Sequence, residues 1–172
     1  MIIEIEKNLN GSILDVGGGG EAIIGQIYKD NVIAIDNKQE ELDEAPNCCK
    51  KMLMDATELL FTNNYFDNVT FFYSLMYMNK KEQYQSILEA TRVLKKDGLI
   101  SIWDCDICKA YPEPFSVELD IKTSFSSTHT TYGIIKKDTQ SCEFIINICE
   151  CAGLRIKHIE KNGKNFFIQC VK

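Results

Sequence analysis

No apolar run in this 172-residue chain reaches the roughly 20 residues that a helical membrane span requires. The opening MIIEIEKNLN carries acidic residues where a secretory signal would be basic, so the expected location is the cytoplasm. Positive charge is also in short supply. Lys and Arg number 19 against 25 Asp and Glu, a formal charge of −6, and neutralising nucleic-acid phosphates needs a basic face. No nucleic-acid partner and no membrane association are expected. The locally basic stretch Arg155 to Lys172 reads as a solvated edge.

A second metal-binding knuckle is missing as well. Cys105-x-x-Cys108 stands alone, because Cys149-x-Cys151 and the adjacent Cys48 and Cys49 have the wrong spacing to complete a four-ligand zinc site. No metal is expected, and without an export signal the eight cysteines are expected as reduced thiols. Repeats, linkers and low-complexity tracts are lacking too. With 45% hydrophobic and 26% charged residues, the chain fits one soluble domain over 1–172.

What is present is an alternation of short apolar runs with segments of helical period through the first hundred residues. The runs are Ser12 to Val16, Val32 to Asp36, Lys51 to Met54, Asn68 to Tyr73 and Leu99 to Asp104, the pattern of βα units around a parallel sheet. Tyr84, Ile87, Leu88, Thr91 and Leu94 define one helix face, with a stop at Lys95, Lys96 and Gly98. Then the period changes. PFSVELDIKTSF and STHTTYGIIKK alternate around a SFSSTH connection and predict an inserted hairpin over about 112–138. Cys142, Ile145, Ile146, Cys149 and Ala152 predict a helix ending at Gly153, followed by a terminal antiparallel hairpin, so that helix and hairpin fill about 141–172.

Four glycines follow the first run, in ILDVGGGGEAII, and a glycine turn between strand and helix admits a ligand where a Cβ would collide. Gly17, Gly19 and Ala22 fit the dinucleotide form G-x-G-x-x-G/A, with Asp36 at a distance suited to a ribose hydroxyl. Yet Asp15, two residues before Gly17, would repel a pyrophosphate and suits a ligand carrying an ammonium group. Asp15, Asp36 and Asp55 all fall at strand carboxyl ends, where an open parallel sheet binds its ligands. Asp67 falls at a strand start, away from them.

Five ordered motifs give the chain, from about Ser12 to Asp104 and again in its terminal hairpin, a resemblance to the class I S-adenosylmethionine-dependent methyltransferases, in particular the small type 11 group. They are LDVGGGGE, AIDNKQEEL, MDATELLF, YFDNVTFFYSLMYM and ATRVLKKDGLISIWD. The resemblance implies a doubly wound, Rossmann-like α/β fold with a seven-stranded mixed sheet, the cofactor-binding half lying over about 10–105. It implies S-adenosyl-L-methionine as cofactor and a small-molecule acceptor. Carried over by position, Gly17, Gly18 and Gly19 would pass the methionine moiety, Asp15 would hold its amino end, and Asp36 the ribose hydroxyls. Asp55 and the Ala56 amide would meet the adenine, Asn37 and Met54 would flank it, and Tyr73 would line the methyl-donor side. Ser74, Tyr77, Asp104, His129 and Tyr132 are the candidate substrate contacts.

The chain also departs from the pattern. Glu21 replaces the third glycine, Met76 and Tyr77 fall where many relatives carry a His pair, and KKDG replaces Pro-Gly-Gly. With a first strand near residue 12, no N-terminal helix caps the cofactor, and a homodimer completing the lid is the expected alternative. No catalytic base stands out. Two other functions remain open: an NAD-dependent oxidoreductase, which Gly17, Gly19, Ala22 and Asp36 permit, and a non-catalytic S-adenosylmethionine-binding regulatory module.

Overall fold

The computed structural model describes residues 2–123 and 126–172. Its central strands are apolar on both faces, which forces both faces to be covered. In β2 (Ile13–Val16) and β3 (Val32–Asp36), Leu14, Val16 and Ile35 enter one core; Ile13, Val32 and Ala34 enter the other. The first core packs on α3 (Lys80–Val93) and α4 (Cys142–Cys151), the second on α1 (Ile23–Tyr28) and on β7 (Phe115–Thr123).

The remaining strands of the main sheet are β4 (Lys50–Leu53), β5 (Phe66–Phe72), β6 (Leu94–Cys105), β9 (Arg155–Asn162) and β10 (Asn165–Val171). The order is β4-β3-β2-β5-β6-β10-β9, with β10 antiparallel to both neighbours. This is the expected seven-stranded mixed sheet with its terminal hairpin. Strand order reverses between β2 and β5, so a crevice opens beyond their carboxyl ends.

The inserted hairpin is β7 paired antiparallel with β8 (Ser127–Ile134). Ser124 and Phe125, in its expected connection, lie outside the described residues. The N-terminal segment, expected to carry no strand before residue 12, contributes β1 (Ile2–Ile5), which adds to β7 in parallel and makes the insert a three-stranded sheet, β1-β7-β8. Its four residues are too short a run to announce themselves.

Three further features differ from expectation. The connection from β4 to β5 contains no helix, so the βα repetition is broken there. The helix α3 buries Gln83, Ser86, Ile87, Ala90 and Val93, while Tyr84 stands exposed. Two polar residues can occupy that face because Gln83 Nε2 donates to Leu75 O (2.8 Å) and Gln140 Oε1 (2.6 Å), and Ser86 Oγ to Gln83 O (3.1 Å). The helix also stops at Val93 rather than near Gly98, since Leu94 already pairs with Phe66 as the start of β6. Its other end matches its sequence: Asn79 Oδ1 accepts from the Lys81 and Glu82 amides, and Glu82 returns the bond to the Asn79 amide.

At the sheet end opposite the crevice, Asp67 accepts from the Ser12 amide (2.9 Å), Ser12 Oγ (2.8 Å) and Lys95 Nζ (2.7 Å). The lysine bond, then those from Ser12, hold its carboxyl at about 2, below the ordinary 3.8. A depressed carboxyl stabilises the fold above its unfolded value and loses that contribution as pH falls through about 2. Because the pair is partly exposed, Asp67→Asn is expected to cost about 1 kcal/mol in urea unfolding at pH 7. The gap to the parent should close between pH 4 and pH 2; a gap independent of pH would disprove the ion-pair assignment.

Candidate functional site

The loop after β2 descends onto the neighbouring strand. The Gly17 and Gly18 amides both donate to the Ile35 carbonyl, at 2.8 and 3.0 Å, and the Gly20 amide donates to Glu41 O at 2.8 Å, in α2 (Gln39–Glu44). These amides are therefore spent inside the protein rather than offered to a ligand. The glycines serve close packing. A Cβ on Gly17, whose φ is +72°, would come within 2.4 Å of Ser74 Cβ; on Gly18, within 2.5 Å of Asp15 Oδ2; on Gly19, within 2.6 Å of Glu41 Cβ.

The loop forms one wall of a cleft of about 1120 Å³ at the β2/β5 switch point. Asp15, Gly17, Gly18, Gly19, Asp36, Asn37, Met54, Asp55, Ala56, Tyr73, Ser74, Tyr77 and Tyr132 all line it. Asp15 is fully buried, and the register that sets it opposite Thr70 lets Thr70 Oγ1 donate to Oδ1 at 2.7 Å. Burial pushes its carboxyl up to about 7; the Thr70 bond opposes that shift and the nearby Asp36 charge adds to it. Asp36 and Asp55 are more open. Each uses Oδ1 in its own turn, Asp36 accepting from the Lys38 amide (3.0 Å), Asp55 from the Thr57 amide and hydroxyl (both 2.7 Å). Their Oδ2 atoms accept no hydrogen bond among the described residues.

The opposite wall is aromatic. Tyr73, held at φ +51°, donates its hydroxyl to Asn165 Oδ1 (2.7 Å) and stacks on Tyr132 at 5.3 Å and 16°. Tyr132 belongs to β8, so the insert supplies cover for the cleft in cis. Glu21 fastens that cover: its carboxylate accepts from Thr130 Oγ1 and from the Tyr132 hydroxyl (3.2 Å). Ser74, only 6% exposed, has an Oγ with no partner among the described residues.

Two candidate contacts lie elsewhere. Asp104 is buried beneath the cleft wall, accepting from the Met76 amide (3.1 Å), the Cys105 amide (2.8 Å) and Gln140 Nε2 (2.7 Å). It supports the turn Leu75–Tyr77 rather than lining the cleft, and burial, opposed by those bonds, raises its carboxyl to about 6. His129 points to solvent on β8 and pairs with Asp120 at 2.8 Å. Cys105 is buried and Cys108 exposed, and the described residues contain no cluster of three or more potential metal ligands. Sequence reasoning missed the Glu21 to Thr130 and Tyr132 tie, which joins residues more than a hundred positions apart. It also missed Gln140, whose side chain bridges Asp104 and Gln83.

A family model described as a methyltransferase domain matches residues 14–102, about half of the chain and all of the glycine loop and its acids. No curated protein matches. Among solved structures, a possible histamine N-methyltransferase from Thermotoga maritima superposes with a TM-score of 0.70 at 14% identity, covering 96% of this chain and 84% of its own. A SAM-dependent methyltransferase from Methanosarcina mazei gives 0.67 at 14%, covering 95% and 94%. The glycopeptide N-methyltransferase MtfA, complexed with S-adenosyl-L-homocysteine, gives 0.63 at 11%, covering 96% and 84%. At such identities the likeness is one of fold. Among the described residues, no helix is long and apolar enough to cross a membrane.

Gly17→Ala should destabilise the protein by about 2 kcal/mol or more, combining left-handed strain with a backbone-proximal clash. Gly153→Ala, at φ +85° with nothing within 4 Å, should cost only the strain; equal losses in urea unfolding would refute the packing account. Asp15, with a raised carboxyl, stabilises the ligand-free fold at low pH and loses that contribution as pH rises through about 7. The melting temperature of Asp15→Asn should therefore fall less between pH 5 and pH 8 than that of the parent.

Proposed function

Because the chain belongs to the methyltransferase-domain family, we propose that it transfers the methyl group of S-adenosyl-L-methionine to a small-molecule acceptor bound in the same cleft. The observation that carries this reading is Asp15, a fully buried carboxyl lining the cleft beside the glycine loop. A buried carboxyl is costly to ionise until a cation reaches it, and the donor carries both an ammonium and a sulfonium. The cleft also exceeds the roughly 300–1,000 Å³ of ordinary ligand sites, leaving room for a second molecule beside the donor. Asp15 would have no such use with a pyrophosphate, which argues against a nicotinamide cofactor.

When bound, the donor supplies an electrophilic methyl group. The chain's own residues bind, orient and shield. Asp15 gives up its proton and takes the ammonium end; Asp36 turns its free Oδ2 to the ribose hydroxyls; Asp55 and the Ala56 amide meet the adenine edge, with Met54 and Asn37 on its faces. Gly17, Gly18 and Gly19 let the methionine portion approach the loop. Tyr73 and the β8 wall keep water from the transfer end. Alignment of acceptor, methyl and sulfur is the main demand of an in-line displacement, and fixed positioning meets it.

Calorimetric titration with S-adenosylmethionine, S-adenosylhomocysteine and NAD in parallel tests the reading. The first two are expected to bind and NAD is not; binding of NAD alone overturns it. Asp36→Ala should weaken the first two by about tenfold or more, the loss of charge-assisted hydrogen bonds. Affinity should rise from pH 6 to pH 8 with release of a proton, because binding ionises Asp15, and this pH slope should vanish in Asp15→Asn.

A further inference from the structure

The cleft lining holds seven carboxyl side chains and, among the described residues, a single cationic one, Lys38. The donor accounts for Asp15, Asp36 and Asp55. Glu21 is left at the transfer end with no lysine or arginine partner among the described residues, although an acid in a walled cleft is normally balanced. Its two hydrogen bonds, from Thr130 and Tyr132, leave about half of a carboxylate's four acceptor positions free. Beside it stand two rings, Tyr132 stacked on Tyr73, and Tyr77, 46% exposed at the cleft.

We propose that the acceptor is a small protonated amine, held by the Glu21 carboxylate and the rings of Tyr77 and Tyr132. Both kinds of group attract an ammonium, the carboxylate by charge and the tyrosines by their π-faces. An anionic acceptor would meet like charge on several sides. Independently of the acids, the Ser74 hydroxyl is buried in this lining with no partner among the described residues, and such a group is costly until a ligand satisfies it. An amine N–H can donate to it. The phenols stay neutral and available as rings: the partial burial of Tyr77 chiefly, opposed by a bond from the Gly133 backbone and aided by the Glu21 charge, raises it to about 12, and burial followed by Glu21 raises Tyr132 further.

The inference rests on the methyltransferase reading for its chemistry. The ammonium loses one proton to Glu21 and thence to solvent. The nitrogen lone pair then forms the N–C bond to the methyl group, while the electron pair of the breaking C–S bond stays on sulfur. Ammonium and sulfonium thus become an N-methylammonium, a thioether and one released proton, so charge and atoms balance.

Binding of three matched probes, 2-phenylethylamine, 2-phenylethanol and 3-phenylpropionate, measured by calorimetry with and without S-adenosylhomocysteine, tests the proposal. The amine is expected to bind about tenfold or more tightly than the alcohol, and the acid more weakly than both. Glu21→Gln should reduce the amine's advantage to about twofold while S-adenosylhomocysteine affinity stays within about twofold. Because Glu21 also fastens β8, Tyr77→Leu provides a second test on an exposed side chain: it should weaken the amine about threefold or more, and Tyr77→Phe should not. No preference for the amine, including no binding of any probe, or a preference unmoved in Glu21→Gln and Tyr77→Leu, overturns the proposal. Amine preference without S-adenosylhomocysteine binding would instead count against the donor reading and leave the ammonium site standing.

Discussion

The Ile35 carbonyl accepts two amides, those of Gly17 and Gly18, and the shape of the cleft depends on that shared bond. It draws the loop after β2 down over the end of β3, which is why the loop lies against Asp15, Ser74 and Glu41 at distances no Cβ allows. Three elements converge there: the strand carrying Asp15, the turn carrying Ser74, and α2. A bulkier loop would have to lift from Ile35, and lifting it would remove the roof over Asp15 whose burial raises this carboxyl.

The opposite wall is positioned by polar groups as well as by the buried Leu75 and Met76. Asp104 accepts the Met76 amide, Gln140 bonds Asp104, and Gln83 joins Gln140 to the Leu75 carbonyl. This chain runs from β6 through α3 to the turn that presents Ser74 and Tyr77. Each of these bonds spares a buried polar group the cost of standing unpaired, although Gln83 Oε1 accepts no hydrogen bond among the described residues. Glu21 then ties the glycine loop to β8, so the two walls and the cover are connected through hydrogen bonds as well as through the sheet.

Much of this was legible in the residues. The runs ending at Val16, Asp36, Met54 and Tyr73 predict parallel strands, and Asp15, Asp36 and Asp55 at the ends of the first three predict the cleft, because strand polarity alone sends those side chains to one edge. Other features follow from tertiary pairing and leave little local trace. Gln83 and Ser86 read as polar, yet both are buried, Gln83 donating to Leu75 O and Gln140 Oε1 and Ser86 donating to Gln83 O. Asp104, at the end of its apolar run, reads as a substrate contact; it is instead buried and accepts from Gln140, which no spacing rule connects to it. The role of the glycines was half legible: close approach was evident, but the atoms that approach are Ser74, Asp15 and Glu41 of the same chain.

The pairing of β1 with β7 joins Ile2 to Asp120 and Ile5 to Thr123. Each residue of β1 therefore finds its hydrogen-bond partner more than a hundred positions further along the chain. Closing so long a loop is entropically costly before any contact rewards it, and pairings of this kind slow folding. The sheet that covers the cleft is thus placed to be among the last parts to assemble, after the βα units that build the floor beneath it.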